Sequence, residues 1–220
     1  MVKPATAYVS ALLFSLFGLI YTSHAMAIEC YTPSPNLTSL GDDYYALEKQ
    51  KPLSDEINDQ VNALFRAMTG KWKGDMQYLE CRGPDRAPRI ISRTALVAVK
   101  AKLNSELGLE INADKHDVEN RSKRPEHLTL IGKTPTFDLK FISDGHVVFA
   151  ERYRRLNQVG KEKPTKKPSE QSAEPVKQKT SRITETIIEI ETNGGSLDFA
   201  RFYYTNGVYI GEEHWKMQRD

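Results

Sequence analysis

The residues best suited to chemistry lie near the end of this 220-residue chain. Arg201 and Tyr203 stand two residues apart in the segment "SLDFARFYYT", and Glu212 and His214 stand two apart in "YIGEEHWKMQ". Alternate residues of a strand point to the same face, so each pair is expected to share a face. A guanidinium beside a phenol is suited to bind an anionic group, whereas a carboxylate beside an imidazole is suited to acid–base work.

The turn Asn206-Gly207 predicts how these two pairs meet, because Asn-Gly favours a two-residue hairpin. That hairpin gives three predicted cross-strand pairs: Tyr203 with Ile210, Arg201 with Glu212, and Phe199 with His214. Three interpretations stay open. Glu212 is the partner that a buried Arg201 needs; or Arg201 binds an anionic ligand with Tyr203 as a second donor; or the arginine and the glutamate form an ion pair on the outer surface.

Two other segments alternate apolar and polar residues and complete the predicted inner face. In "GKWKGDMQY" the apolar or small positions are Trp72, Gly74, Met76 and Tyr78. In "FDLKFIS", which precedes an Asp144-Gly145 turn, they are Phe137, Leu139 and Phe141. The predicted ligand-binding residues are therefore Arg201, Tyr203, Phe199, Phe137, Phe141, Met76, Tyr78, His214 and Glu212.

A helix precedes these strands, in "LSDEINDQVNALFRAMTG". Ser54 is a good N-cap, apolar residues recur at helical spacing from Ile57 to Met68, and Gly70 is the predicted C-terminal stop. Period-2 alternation then predicts strands near 71–81, 89–101, 105–113, 126–132, 136–143, 146–155, 182–192, 197–205 and 208–218. Their hairpin turns predict a mainly β fold, an antiparallel meander of eight to nine strands that closes into a barrel.

The first 27 residues have the pattern of a secretory signal peptide. Lys3 precedes an apolar run from Val9 to Tyr21, and Ala25-Met26-Ala27 matches a cleavage site. Cleavage after Ala27 predicts a periplasmic or secreted protein without a transmembrane segment in the mature chain. The predicted organisation is a signal peptide at 1–27, an irregular lead-in at 28–53, and a helix-plus-barrel domain at 54–220. The Lys-, Glu-, Pro- and Ser-rich stretch 157–181 is expected to be a disordered insert.

Composition excludes some functions. Removal of the signal peptide removes one Lys and no acid, so the formal charge of +2 falls to +1 and gives no support for a nucleic-acid partner. Two cysteines remain in an exported chain, which predicts a disulfide between Cys30 and Cys81. The sequence has no nucleophile elbow, phosphate-binding loop or spaced metal ligands, so we expect a non-enzymatic protein without metal or cofactor.

A helix, then Gly70 and Trp72 opening the first of about eight antiparallel strands, resembles the lipocalin and calycin-like barrels. On this resemblance the chain is identified as an exported bacterial member. The resemblance implies that Trp72 lies at the closed end of the barrel and packs against a basic residue near the last strand, either Arg219 or Lys216. It also implies an apolar ligand, and the Arg201-x-Tyr203 spacing is similar to the carboxylate-binding pair of fatty-acid-binding proteins. The Thr-Asp-Tyr motif of lipocalins is absent.

These observations predict binding of a small hydrophobic or amphipathic molecule, such as a lipid, with an anionic group as one option. The alternative is a cell-envelope interaction module with a filled barrel. That alternative depends on the insert 157–181 and on an apolar outer face of the last hairpin, formed by Phe202, Tyr204, Tyr209 and Trp215.

Overall fold

The computed structural model describes residues 29–46, 53–104, 108–117, 121–130, 137–156 and 181–220. The predicted signal peptide lies outside these residues. So does the predicted insert 157–181, except for Ser181, which is the first residue of a strand.

Three helices and nine strands make up the described chain. The helices are α1 (Pro35–Leu40), α2 (Asp43–Ala46) and α3 (Asp55–Met68). The strands are β1 (Gly70–Arg82), β2 (Arg89–Leu103), β3 (Leu109–Asp117), β4 (Lys123–Leu130), β5 (Phe137–Ser143), β6 (His146–Leu156), β7 (Ser181–Thr192), β8 (Ser196–Thr205) and β9 (Val208–Arg219). Strand β3 begins four residues later than predicted, because Asn104 and Gly108 hydrogen-bond to each other and close the preceding connection.

All nine strands form one antiparallel sheet in the order β4-β3-β2-β1-β9-β8-β7-β6-β5. Glu126 of β4 and Arg201 of β8 stand five places apart in that order, yet their side chains are 2.5 Å apart. A flat sheet would separate such strands by about 24 Å. The sheet is therefore curled into a half-barrel, and the predicted mainly β antiparallel meander is confirmed.

Helix α3 packs into the concave face of this sheet. Ser54 caps it by accepting a hydrogen bond from the amide of Ile57, as predicted. The helix ends at Met68 with Thr69 as its C-cap, so the predicted stop, Gly70, follows directly after the cap. The hydroxyl and amide of Thr69 both donate to the carbonyl of Arg66 and so cap the last turn. Gly70 is also the first residue of β1, with φ at 138°.

Trp72 and the C-terminal end of α3 form one end of the half-barrel. Trp72 is fully buried, and its indole N–H donates to the carbonyl of Met68 at 2.8 Å. The guanidinium of Arg219 lies 4.5 Å from the centre of the Trp72 ring and donates to the carbonyls of Ala67 and Thr69. Of the two basic residues that the lipocalin resemblance implied, Arg219 is the one that packs on the tryptophan.

A β-bulge near the last turn changes the predicted register of β8 and β9. The turn at Asn206-Gly207 has two residues as predicted, but Ile210 has no partner in the ladder between Tyr209 and Gly211. The observed pairs are Tyr203 with Gly211, Arg201 with Glu213, and Phe199 with Trp215. The predicted inward positions of Glu212 and His214 are therefore wrong, because one extra residue moves every later side chain of β9 to the opposite face.

A second bulge corrects the prediction for β5. Ser143 pairs with His146, Phe141 with Val148, and Leu139 with Phe149. The ladder shifts between Leu139 and Phe141, so these two residues do not share a face. Phe141 is 47% exposed and lies against the ring of His146 on the outer side, whereas Leu139 packs against the core. Phe137 pairs with Glu151 in the ladder.

The N-terminal segment covers part of the outer face and is tied down by the predicted disulfide. Cys30 and Cys81 are bonded, with their Cα atoms 5.7 Å apart. Glu185 of β7 is fully buried on the outer side, where it accepts hydrogen bonds from Asn36 at 2.6 Å and Tyr44 at 3.0 Å. The outward-facing Tyr204, next to Glu185 in the ladder, is also buried.

Gly74 is required by the close approach of β1 and β9. A Cβ at this position would lie 1.9 Å from the carbonyl oxygen of Lys216. We expect Gly74→Ala to lower the free energy of unfolding by more than about 2 kcal/mol, because backbone must move to admit the methyl group. Urea denaturation measures this change. Gly195→Ala is the matched control, since nothing lies within 4 Å of its Cβ position, and it should cost less than about 0.5 kcal/mol. Equal effects at both sites would contradict the close approach.

The disulfide joins residues 51 positions apart. Replacing both Cys30 and Cys81 by Ser should lower the free energy of unfolding by about 2–4 kcal/mol, because the unfolded chain regains the freedom of a long loop. Denaturation of the double variant beside the oxidised wild type measures this loss. An unchanged midpoint would show that the bond contributes nothing to stability.

Candidate functional site

Four charged side chains from four strands meet inside the half-barrel. They are Lys115 of β3, Glu126 of β4, Arg201 of β8 and Glu213 of β9, and we call them the inner charge cluster. The two guanidinium nitrogens of Arg201 each contact one glutamate at 2.5 Å, Nη1 with Glu126 and Nη2 with Glu213. The ammonium group of Lys115 contacts both glutamates as well. Two cations and two carboxylates thus form a closed and neutral set.

Strand register explains why these residues share one face. Lys115 pairs with Val97, and Glu126 pairs with Ala113, and both apolar partners are buried in the core. Arg201 pairs with Glu213 directly. The cluster therefore continues the inner face of the sheet, where a charge is stable only with partners.

Glu213 is the most enclosed member of the cluster. Its carboxylate accepts hydrogen bonds from Arg201 and Lys115, from the hydroxyl of Tyr203 at 3.0 Å and from the indole N–H of Trp215 at 2.7 Å. The Trp215 ring also lies 5.0 Å from the Lys115 ammonium and 5.4 Å from the Arg201 guanidinium. These four donors satisfy both oxygens of a side chain that is only 4% exposed.

The neighbouring charges keep both glutamates ionised. Burial alone would raise the pKa of Glu126, but hydrogen bonds and charges from Arg201 and Lys115 outweigh burial and lower that pKa to about 2. The same two cations hold the pKa of Glu213 below its ordinary value against a similar burial effect. Burial raises the pKa of the Tyr203 hydroxyl, which therefore remains a donor.

A cavity of about 550 Å³ lies against the cluster. Its apolar and aromatic lining comes from Met76 and Tyr78 of β1, Ala95 of β2 and Pro125 of β4. Its charged lining consists of Glu80, Arg93, Lys115, Asp117, Arg124, Glu126 and Glu213. An apolar wall facing convergent polar groups is typical of small-molecule sites, and the volume lies within their usual range.

The structure brings together only part of the predicted ligand site. Met76 and Tyr78 line the cavity, and Arg201 and Tyr203 stand on the inner face as predicted. Phe199 is buried against the Trp215 ring, with ring centres 4.8 Å apart. Arg201 contacts Glu213, so the partner of its buried charge is Glu213 and not the predicted Glu212.

Two predicted site residues belong to the outer face. Glu212 and His214 contact each other there at 3.2 Å. The rings of His214 and Phe202 lie nearly perpendicular to each other, with their centres 5.5 Å apart. This pair is therefore separated by the sheet from the cavity and from the inner charge cluster.

Sequence reasoning missed the other cluster and cavity residues. Two signals were present. The neighbours Glu212 and Glu213 must point to opposite faces, so one glutamate had to face inward in either register. Lys115 also continues the alternation of Leu109, Ile111 and Ala113, which are all buried. No local signal connects β4 with β8, because that contact depends on the curl of the whole sheet.

Within the described ranges, no His, Cys, Asp and Glu side chains form a group of three that could hold a metal ion. No helix in the same ranges is long and apolar enough to cross a bilayer.

Comparisons with known proteins add little to this site. No family model matches the chain, and no curated protein matches it. Among solved structures, the chain is similar to a protein of unknown function of the DUF3598 family from Nostoc punctiforme, with a TM-score of 0.34 and 10% sequence identity. The similarity covers 78% of this chain and 51% of that one, so this chain spans about half the length of that protein. The cavity and the inner charge cluster remain the basis for a functional assignment.

The lowered pKa of Glu126 predicts an acid-dependent loss of stability. Because this pKa is depressed, the stabilisation is complete well above pH 4.5 and is lost as the pH falls toward 2. Between pH 6 and pH 3 we expect the wild type to lose roughly 1–2 kcal/mol more unfolding free energy than Glu126→Gln. Urea denaturation at both pH values measures this difference. Glu80→Gln, whose carboxylate pairs with Arg82 instead, should lose as much as the wild type. Equal losses in all three proteins would contradict the ion-pair assignment.

Proposed function

We propose that this is an exported, non-enzymatic protein that binds a small amphipathic molecule inside its half-barrel. The cavity beside the inner charge cluster is the observation that carries this proposal. Met76, Ala95 and Pro125 offer it an apolar wall, while Arg93 and Arg124 add cationic groups and Glu80 and Asp117 add anionic groups to the lining. Apolar area would supply the affinity for a ligand, and the charged groups would orient it.

Two features support export. Residues 1–27 carry the charge, apolar run and small-residue pattern of a cleaved signal peptide. Cys30, three residues after the predicted cleavage site, is bonded to Cys81, and such bonds persist in oxidising compartments. A periplasmic or secreted location is therefore part of the proposal.

An envelope interaction module is less well supported. It depended on two observations: the insert 157–181, which lies outside the described residues except for Ser181, and an apolar outer face on the last hairpin. Tyr204 and Tyr209 of that face are buried within the chain itself, and Trp215 faces the interior. Tyr204, Tyr209 and Trp215 thus need no protein partner to cover them, and Phe202 remains partly exposed.

Narrowing the cavity should reduce binding. Ala95 lines the cavity, so Ala95→Leu would place a larger side chain in it. We expect this variant to bind a dansyl-labelled undecanol at least about tenfold more weakly than the wild type, because the volume for the alkyl chain is lost. Fluorescence titration of the purified oxidised protein measures the dissociation constant.

Ala98→Leu provides the matched control for this experiment. Ala98 lies on the same strand but on the exposed outer side, so the same substitution there should leave binding unchanged. Thermal denaturation of both variants checks that they remain folded. Saturable binding that both substitutions reduce equally would place the probe elsewhere, and no binding to the wild type would reject the proposed function.

A further inference from the structure

The carboxylate of Glu126 holds a position between two cations beside the cavity. One of its oxygens contacts Nη1 of Arg201 at 2.5 Å, and the other contacts the ammonium of Lys115. We propose that this position is the binding seat for the anionic group of an alkyl carboxylate, and that Glu126 occupies it until such a ligand displaces its side chain. This inference rests on the proposed function and specifies the ligand class and the residue that regulates access.

The two glutamates of the cluster differ in how firmly they are held. Glu213 is 4% exposed and has four side-chain donors, two of which are neutral and belong to Tyr203 and Trp215. Glu126 is 27% exposed and lines the cavity. Among the residues that the structure describes, its carboxylate contacts the two cations Arg201 and Lys115. Its carboxylate can therefore turn toward water, whereas that of Glu213 would have to leave a buried site.

The strands that carry the two glutamates differ in the same way. Strand β9 lies between β1 and β8, so the backbone of Glu213 is fixed on both sides. Strand β4 is the last in the sheet order and pairs with β3 alone among the described strands. A rotamer change at Glu126 breaks no ladder hydrogen bond, because only its side chain moves.

Charge balance requires a ligand carboxylate to displace Glu126 rather than to join the cluster as a third carboxylate. The cluster contains two cations and two carboxylates. A ligand carboxylate that joined them would leave one uncompensated negative charge in a partly buried site, which is costly. If Glu126 turns out to solvent while the ligand carboxylate takes its place, the cluster stays neutral and each cation keeps its partners.

The seat also differs from a simple Arg201–Tyr203 pair. Nη2 of Arg201 and the hydroxyl of Tyr203 both contact Glu213 and are therefore committed. Within the inner charge cluster, the groups that remain for a ligand are Nη1 of Arg201 and the ammonium of Lys115, which Glu126 already holds in place. Such preorganised donors bind an incoming anion without further ordering.

An internal competitor lowers the apparent affinity of the site, because only the fraction of molecules with Glu126 turned out can bind. Glu126→Gln removes the competing charge and keeps the side-chain shape. We expect this variant to bind dansyl-labelled undecanoate at least about tenfold more tightly than the wild type. Binding of the uncharged undecanol probe should change less than about twofold, because the alcohol does not need the seat.

Glu80→Gln is the matched control. It removes the same charge from the same cavity lining, but its carboxylate pairs with Arg82 and not with the cluster. Its affinity for undecanoate should remain close to that of the wild type. An equal gain in both variants would mean general electrostatic attraction and would overturn the proposed seat.

Glu126→Asp provides a second test should the glutamine variant fail to fold. It keeps the charge but is one methylene shorter, so it reaches the two cations less well and should also bind undecanoate more tightly. If undecanol binds the wild type and neither variant gains affinity for undecanoate, the seat is rejected and the proposed function stands. If neither probe binds any of the proteins, both are rejected.

Discussion

The ion pair between Arg201 and Glu213 is the interaction on which the rest of the interior depends. A buried guanidinium is costly unless every charge around it is paired, and here the pairing needs residues from four strands. Lys115 and Glu126 reach the pair only because the sheet curls by five strand positions between β4 and β8. The curvature of the sheet therefore brings these charges into contact, and the resulting ion pairs in turn stabilise the curved sheet.

One bulge decides which residues form this interior. Because Ile210 is left out of the ladder, Glu213 and Trp215 face inward while Glu212 and His214 face outward. A slip by one residue would exchange these pairs. It would place an imidazole opposite Phe199 and remove the indole donor from the buried carboxylate. The bulge thus determines which charged side chains of β9 face the interior. Bulges near functional sites commonly redirect side chains in this way.

Local features were predictable from sequence, and long-range ones were not. The N-cap at Ser54, the turn at Asn206-Gly207 and most strand positions followed from nearby residues, because caps and tight turns are short-range constraints. Helix α3 ends just before the predicted stop at Gly70, and the side chain of Thr69 caps its last turn. The bulge in β5 had no local signal, whereas Gly211, an isolated glycine beside Ile210, was a local signal for the bulge in β9. The contact of Glu126 with Arg201 spans 75 residues and exists only after the sheet has curled.

The closed end of the half-barrel and the rest of its concave face have different chemistry. At one end α3, Trp72 and Arg219 form a packed and hydrogen-bonded closure, while the inner charge cluster lies beside a cavity elsewhere on the concave face. A crystal structure of the oxidised protein grown with undecanoate tests this division most directly. We expect density for the alkyl chain between Met76, Ala95 and Pro125. A cavity filled by the protein's own side chains, with no bound undecanoate, would contradict the assignment of this interior as a binding site.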